Sequence, residues 1–205
     1  AKAIFIHPAF VRTAPAELVR SATLNAFTNA VEALESPQCD PFSEAFLMQA
    51  LRLIRAGLDT GAGDEDTPER LVVAALLCGR GTEQGGTGLT SVLAHAIGAR
   101  AHVANGIVGA IVLPHTMRYN AVVTAGRAAA LFEALSGTPS QGAPSDVVAS
   151  LLARLPVPRT LREIGIVRAD LQPIAEAALG DWFISRNARP VKDVPSLMGV
   201  LDAAF

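Results

Sequence analysis

The chain has 205 residues, 50% hydrophobic and 18% charged, which is enough apolar material for a full core and too much for a disordered segment. A net charge of −2 and the lack of any Lys/Arg-rich run leave no electrostatic footprint for nucleic acid. The longest apolar run, Gly106 to Pro114, is far short of the ~20 residues a membrane-spanning helix needs, and Cys39 and Cys78 make neither a metal-type pair nor a disulfide framework, so a soluble, cytoplasmic protein is expected.

Ala1 to Ile6, AKAIFI, has the β-branched and aromatic content of a short strand, ended by His7-Pro8. Thr13-Ala-Pro15 opens a first helix, in which Leu18, Ala22, Ala26 and Val31 form an apolar stripe that stops before Pro37. Asp40-Pro41 starts a second, carried by Phe46, Leu47, Ala50, Leu51 and Ile54 as far as Gly57, and Asp59 to Asp66 reads as an acidic surface loop. Thr67-Pro68-Glu69 opens a third, almost wholly apolar from Leu71 to Gly79. The run Gly79 to Gly88, GRGTEQGGTG, predicts a break in helix. It is no phosphate cradle, because no strand precedes it and no Gly-Lys-Ser/Thr ends it.

Two small-residue helices follow, Thr90 to Ala99 and Val103 to about Leu113, with Gly98 as the expected C-terminal cap and Pro114 starting a new turn. Further helices are predicted around Ala125 to Leu135, Ser145 to Leu155, Ala169 to Leu179 and Val194 to Phe205. No repeat or linker interrupts them. The reading is one mainly α domain over residues 1–205, an all-helical bundle with a short N-terminal β-strand.

Gly86 to Asn120 holds three of the four histidines. Ser91 and His95, four apart, share one helix face, as do Asn25 and Asn29. His95 suits a proton donor or carbonyl partner, because imidazole titrates nearest neutrality. His102 sits at the corner between the two helices, His115 follows a proline, and Tyr119, the only tyrosine, offers a phenol for proton transfer. Arg80, Arg100 and Arg118 are the positive groups available to substrate carboxylates. The three histidines lack HExxH-type spacing.

GLTSVLAHAIGARAHVANGIVGAIVLPHTMRYN, from Gly88 to Asn120, resembles the signature of the iron-containing alcohol dehydrogenase family. TLNAFTNAVEAL, from Thr23 to Leu34, resembles the family's first metal-binding helix and, with asparagine at position 25, looks closest to the maleylacetate reductase branch. NARPV, from Asn187 to Val191, resembles a third family element. Together they imply the family's C-terminal helical domain, of the kind shared with dehydroquinate synthase-like proteins, without its nucleotide-binding half.

Carried over position by position, the family's four metal ligands become Asn25, Asn29, Ser91 and Asn105. Neutral amides and a hydroxyl lack the imidazole nitrogen or anionic oxygen that a catalytic divalent ion needs, so no bound iron or zinc is expected. The family geometry implies that Asn25 and Asn29 meet Ser91, His95 and Asn105 across a cleft. The four neutral residues then either orient a polar substrate or bond one another as a buried plug. The resemblance implies an oxidoreductase for a small oxo-acid or carbonyl compound. NAD(P)H would be held by a separate nucleotide-binding chain or domain, and nothing bound by this chain alone. A stand-alone acid-base enzyme (lyase, isomerase or hydrolase) and a silent partner or homo-oligomerising domain are the competing readings.

Overall fold

A computed structural model describes residues 3–60, 67–138 and 142–205. Its helices are α1 (Pro8–Val11), α2 (Ala16–Glu35), α3 (Pro41–Thr60), α4 (Thr67–Gly85), α5 (Leu89–Ala101), α6 (Asn105–Thr124), α7 (Ala128–Ser136), α8 (Pro144–Ala153), α9 (Arg168–Leu179) and α10 (Val194–Ala204). Single 3-10 turns at Ala125–Arg127 and Arg162–Ile164 and a longer one at Trp182–Arg186 link them. Among the described residues there is no strand. The N-terminal strand expected from Ala1 to Ile6 is therefore absent over residues 3–6, where no second strand exists to pair with and Ile4 and Phe5 are exposed. Most of the acidic loop, residues 61–66, and part of the turn after α7, residues 139–141, lie outside the described residues.

α2 and α6 form the centre. α2 packs on α3, α4, α5 and α6, and α6 on α2, α5, α8 and α10. Leu24, Phe27, Leu47, Leu51 and Ile54 lead one buried cluster, and Leu89, Leu93, Ile97, Leu171, Leu197 and Leu201 a second. α6 serves both, giving Ala110, Leu113 and Met117 to the first and Val108, Ile111 and Val112 to the second. A helix apolar all round must be buried all round.

That burial explains one correction. Pro114 lies inside α6 instead of opening a new turn. A mid-helix proline opposes the helix by ~3 kcal/mol, and burial of Leu113 and Met117 on one side and Val108 and Val112 on the other outweighs it.

The glycine-rich run gives a second. α4 continues through it to Gly85, because its glycines are close-approach residues. A Cβ at Gly81 would lie 2.5 Å from Leu47 Cγ, and one at Gly85 would lie 2.8 Å from the Ala33 carbonyl oxygen. The break comes at Gly86, in the left-handed region at φ 71°.

The third correction concerns the cap of α5. His102 adopts the left-handed conformation at φ 54°, ψ 38°, and Val103 N–H donates to Gly98 O at 3.3 Å. Gly98 is helical, and its missing side chain makes room for Asn105, whose Oδ1 lies 2.8 Å from where a Cβ would stand.

Candidate functional site

The site is built where the first turns of α5 and α6 meet the middle of α2. Asn25, Asn29 and Glu32 recur at helical spacing on α2, and Ser91 and His95 on α5. The backbones of α2 and α6 approach closely at Gly106, whose Cβ would be 2.0 Å from Ser21 O and 2.8 Å from Asn25 N. Only glycine lets α6 come so near α2, and this contact sets Asn105 beside both α2 and Gly98. Ser91 Oγ lies 3.3 Å from Asn29 Oδ1 and 2.6 Å from Glu32 Oε2. Ser91 is buried and Asn29 half-buried, while Asn25, His95 and Asn105 are exposed. The group is therefore an open polar face on this chain and not a sealed plug.

Glu32 organises the floor of that face. The first turn of any helix has backbone N–H groups without intrahelical partners. Here Glu32 Oε1 accepts from Gly88 N at 3.1 Å, Thr90 N at 2.6 Å and Ser91 N at 3.2 Å, and Asn187 Oδ1 accepts from Leu89 N at 3.1 Å. The N-cap residue, Gly88, has no side chain to do this itself. Burial pushes the Glu32 carboxyl above its ordinary range, against hydrogen bonds from Ser91 and Thr90 that pull it down. One turn on, Glu35 accepts from Asn120 Nδ2 at 2.7 Å, and Asn120 and Asn187 bond each other. Burial pushes Glu35 up to about 8, opposed by the Asn120 hydrogen bond and assisted by the charge of Glu32.

His95 stands at the edge of this face, 45% exposed, with Nδ1 3.6 Å from Asp181 Oδ2. Asp181 is fixed by accepting from Phe183 N at 2.9 Å. The remaining predicted residues go elsewhere. Tyr119 donates its hydroxyl to Pro190 O at 3.0 Å, and its ring lies under the Arg189 guanidinium, so it clasps the Asn187–Val191 segment. His102 lines a groove of about 730 Å³ with Arg20, Glu17 and Glu163. His115 lines another, of about 230 Å³, against Ala149, Leu152 and Pro158, where burial and then Arg118 push its pKa down. Arg80, Arg100 and Arg118 pair with Glu83, Asp170 and Asp146. Sequence reasoning missed Glu32, Glu35 and Asp181. Glu32 carried a readable signal, since it continues the Asn25–Asn29 stripe into an apolar run.

Residues 20–199 match the model of the C-terminal part of the Fe-containing alcohol dehydrogenase family. The chain belongs to this family. Among its relatives, the 1,3-propanediol dehydrogenase of Klebsiella pneumoniae is 30% identical over 185 residues, covering 85% of this chain and 48% of that protein. Maleylacetate reductase 2 of Cupriavidus pinatubonensis is 26% identical over 205 residues, covering 98% of this chain and 56% of that protein. The fold matches the alcohol dehydrogenase from Oenococcus oeni with a TM-score of 0.88 at 22% identity, over 97% of this chain and 54% of that one. The chain thus spans about half the length of the relatives it matches.

The family's iron does not fit these residues. At the four positions the resemblance assigns to ligands stand three amides and a hydroxyl, and Ser91 is already engaged with Glu32 and Asn29. Among the described residues no group of three His, Cys, Asp or Glu is placed to hold a metal ion. Among the described residues no strand precedes the glycine-rich run, which is helical as far as Gly85, so it does not form the strand, glycine loop and helix that cradle a dinucleotide.

Proposed function

We propose that this chain is the substrate half of a metal-independent, maleylacetate-reductase-like oxidoreductase that acts on a small oxo-acid or carbonyl compound. Membership of the family supports the oxidoreductase class, and a relative at 26% identity is a maleylacetate reductase. The observation that carries the reading is the His95–Asp181 pair at the edge of the amide-lined face. The hydride would come from NAD(P)H held by a separate nucleotide-binding chain or domain. His95 gives a proton to the carbonyl oxygen as it becomes an alcohol, in place of the Lewis acid of metal-dependent members. Asp181, with Oδ2 3.6 Å from Nδ1, sets a carboxylate beside the imidazole. The amide N–H groups of Asn25, Asn29 and Asn105 donate to substrate oxygens.

Native mass spectrometry and NADH or NADPH titration of the purified protein, with and without a co-purifying nucleotide-binding chain, test this. The expected result is oxo-acid-dependent NAD(P)H oxidation by the complex, lost by about 10²-fold or more in His95→Ala and reduced less in Asp181→Asn. A homo-oligomer that ignores nicotinamide, or a His95→Ala complex with full turnover, would overturn it. The His95–Asp181 pair needs no redox partner in itself, so the first of these outcomes favours the second reading, a stand-alone acid-base enzyme.

A further inference from the structure

The 3-10 turn Trp182–Arg186 packs Phe183 and Ile184 against the second buried cluster and leaves Trp182 and Arg186 exposed, unused by the proton transfer. Trp182, the only tryptophan, is 63% exposed. Its ring stacks on Phe183 with centroids 3.7 Å apart and planes 29° apart, and Phe183 also meets the His95 ring at 6.0 Å. The Arg186 guanidinium is 4.9 Å from the Trp182 ring and 5.8 Å from the Phe183 ring. It stands near both rings of the stack, and Trp182 nevertheless remains largely exposed.

The guanidinium has no carboxylate partner among the described residues, whereas Arg80, Arg100, Arg118 and Arg168 each have one. It lies against Gly86, where a Cβ would stand 3.2 Å from Nη1. The turn is also anchored at both ends. Asp181 caps its start, and the buried Asn187 beyond its end is bonded to Leu89 N, Asn120 and Arg189 O. A rigid indole face left in water, flanked by an unpaired planar cation and continuous with the proposed proton donor, has the composition of a recognition surface.

We infer that Trp182, Phe183 and Arg186 form a binding ledge for a planar, conjugated carboxylate. The π-plane of the ligand lies on the exposed Trp182 ring and its carboxylate pairs with Arg186. Conjugation is what stacking selects, and the carboxylate is what a fork-shaped guanidinium selects. The ledge names a substrate class for the reading above and rests on that reading for the reaction, while binding itself is a property of this chain alone.

The purified chain is titrated with sorbate, a conjugated carboxylate, and followed by calorimetry and by the fluorescence of Trp182. Hexanoate keeps the charge without the conjugation, and sorbamide keeps the plane without the charge. Sorbate is expected to bind saturably and quench Trp182, with both analogues about tenfold or more weaker. Arg186→Gln lowers sorbate affinity about tenfold or more, and Arg186→Lys falls between. Arg186 is exposed, and unchanged thermal midpoints will show that both variants fold. Equal affinity for hexanoate, affinity untouched by Arg186→Gln, or displacement of sorbate by NAD⁺ alone would overturn the ledge. Sorbate binding without nicotinamide-dependent turnover would sink the redox reading and leave the ledge standing; turnover without sorbate binding would do the reverse.

Discussion

Replacing Glu32 with alanine removes the acceptor for three backbone donors and one hydroxyl at the start of α5: Gly88 N, Thr90 N, Ser91 N and Ser91 Oγ. The three backbone donors have no other acceptor at hand, because Gly88, Thr90 and Ser91 are buried, and Ser91 Oγ keeps only its longer contact to Asn29 Oδ1 at 3.3 Å. A net ~1 kcal/mol for each made hydrogen bond gives a gross loss of about 4 kcal/mol. Relief from burying a carboxyl that resists ionisation returns part of it, so about 3 kcal/mol is expected. In a chain of this size that lowers the thermal midpoint by about 6–12 °C. Glu32→Gln keeps one acceptor oxygen in place and should lose only about 1 kcal/mol. Thermal and urea denaturation followed by circular dichroism measure both, and hydrogen exchange at the Ser91 amide localises the effect. A Glu32→Ala protein within 2 °C of the parent, about the smallest shift that 1 kcal/mol produces, would refute the capping argument. So would a Gln variant that falls as far as Ala.

Three further outcomes follow from the same geometry. Folded Glu35 keeps its proton up to about pH 8 while the unfolded carboxyl releases it near 4.5, so the folded state holds an extra proton in that window and stability falls as pH rises through it. Glu35→Gln should abolish that slope and be more stable than the parent by about 4 kcal/mol at pH 8, with little difference at pH 4.5, as urea titrations at the two pH values would show. Gly106→Ala places a methyl 2.0 Å from Ser21 O, where only backbone can yield. A loss of about 3 kcal/mol or more is expected in the same denaturation assay, with His95-dependent turnover falling in parallel as Asn105 moves away from α2. The parent should take up no Zn²⁺ or Fe²⁺ in equilibrium dialysis with metal analysis, whereas Asn25→Asp, Asn29→His, Ser91→His and Asn105→His combined should bind one ion per chain; uptake by the parent would refute the donor-set argument.

Most helix starts were legible because their signals are local. Asp40 accepts from Ser43 N and Asp193 from Ser196 N at the heads of α3 and α10, and each precedes a proline that the sequence displays. The errors arose where a local signal was overruled from a distance. Gly81 and Gly85 read as helix breakers, but what they answer to is Leu47 and Ala33 on other helices. Pro114 reads as a stop, but the clusters on both sides of α6 carry the helix through it. At the site, helical spacing together with the family resemblance singled out Asn25, Asn29, Ser91, His95 and Asn105. Tyr119, His102 and His115 were chosen by residue type and place in the chain, which say nothing about direction; Tyr119 bonds Pro190 O, and His102 and His115 each line a groove. Asp181 was invisible because nothing in its own neighbourhood refers to His95.

The trans capping of α5 bears on the order in which the chain assembles. Its first-turn donors find their acceptors 56 residues back, at Glu32, and 98 residues ahead, at Asn187. A segment whose end groups are answered only by remote partners has little to hold it until those partners dock, so α5 is consolidated by the tertiary fold and does not nucleate it. Substitutions at Glu32 and Asn187 should therefore accelerate unfolding while leaving the refolding rate nearly unchanged, the kinetic mark of contacts made after the transition state.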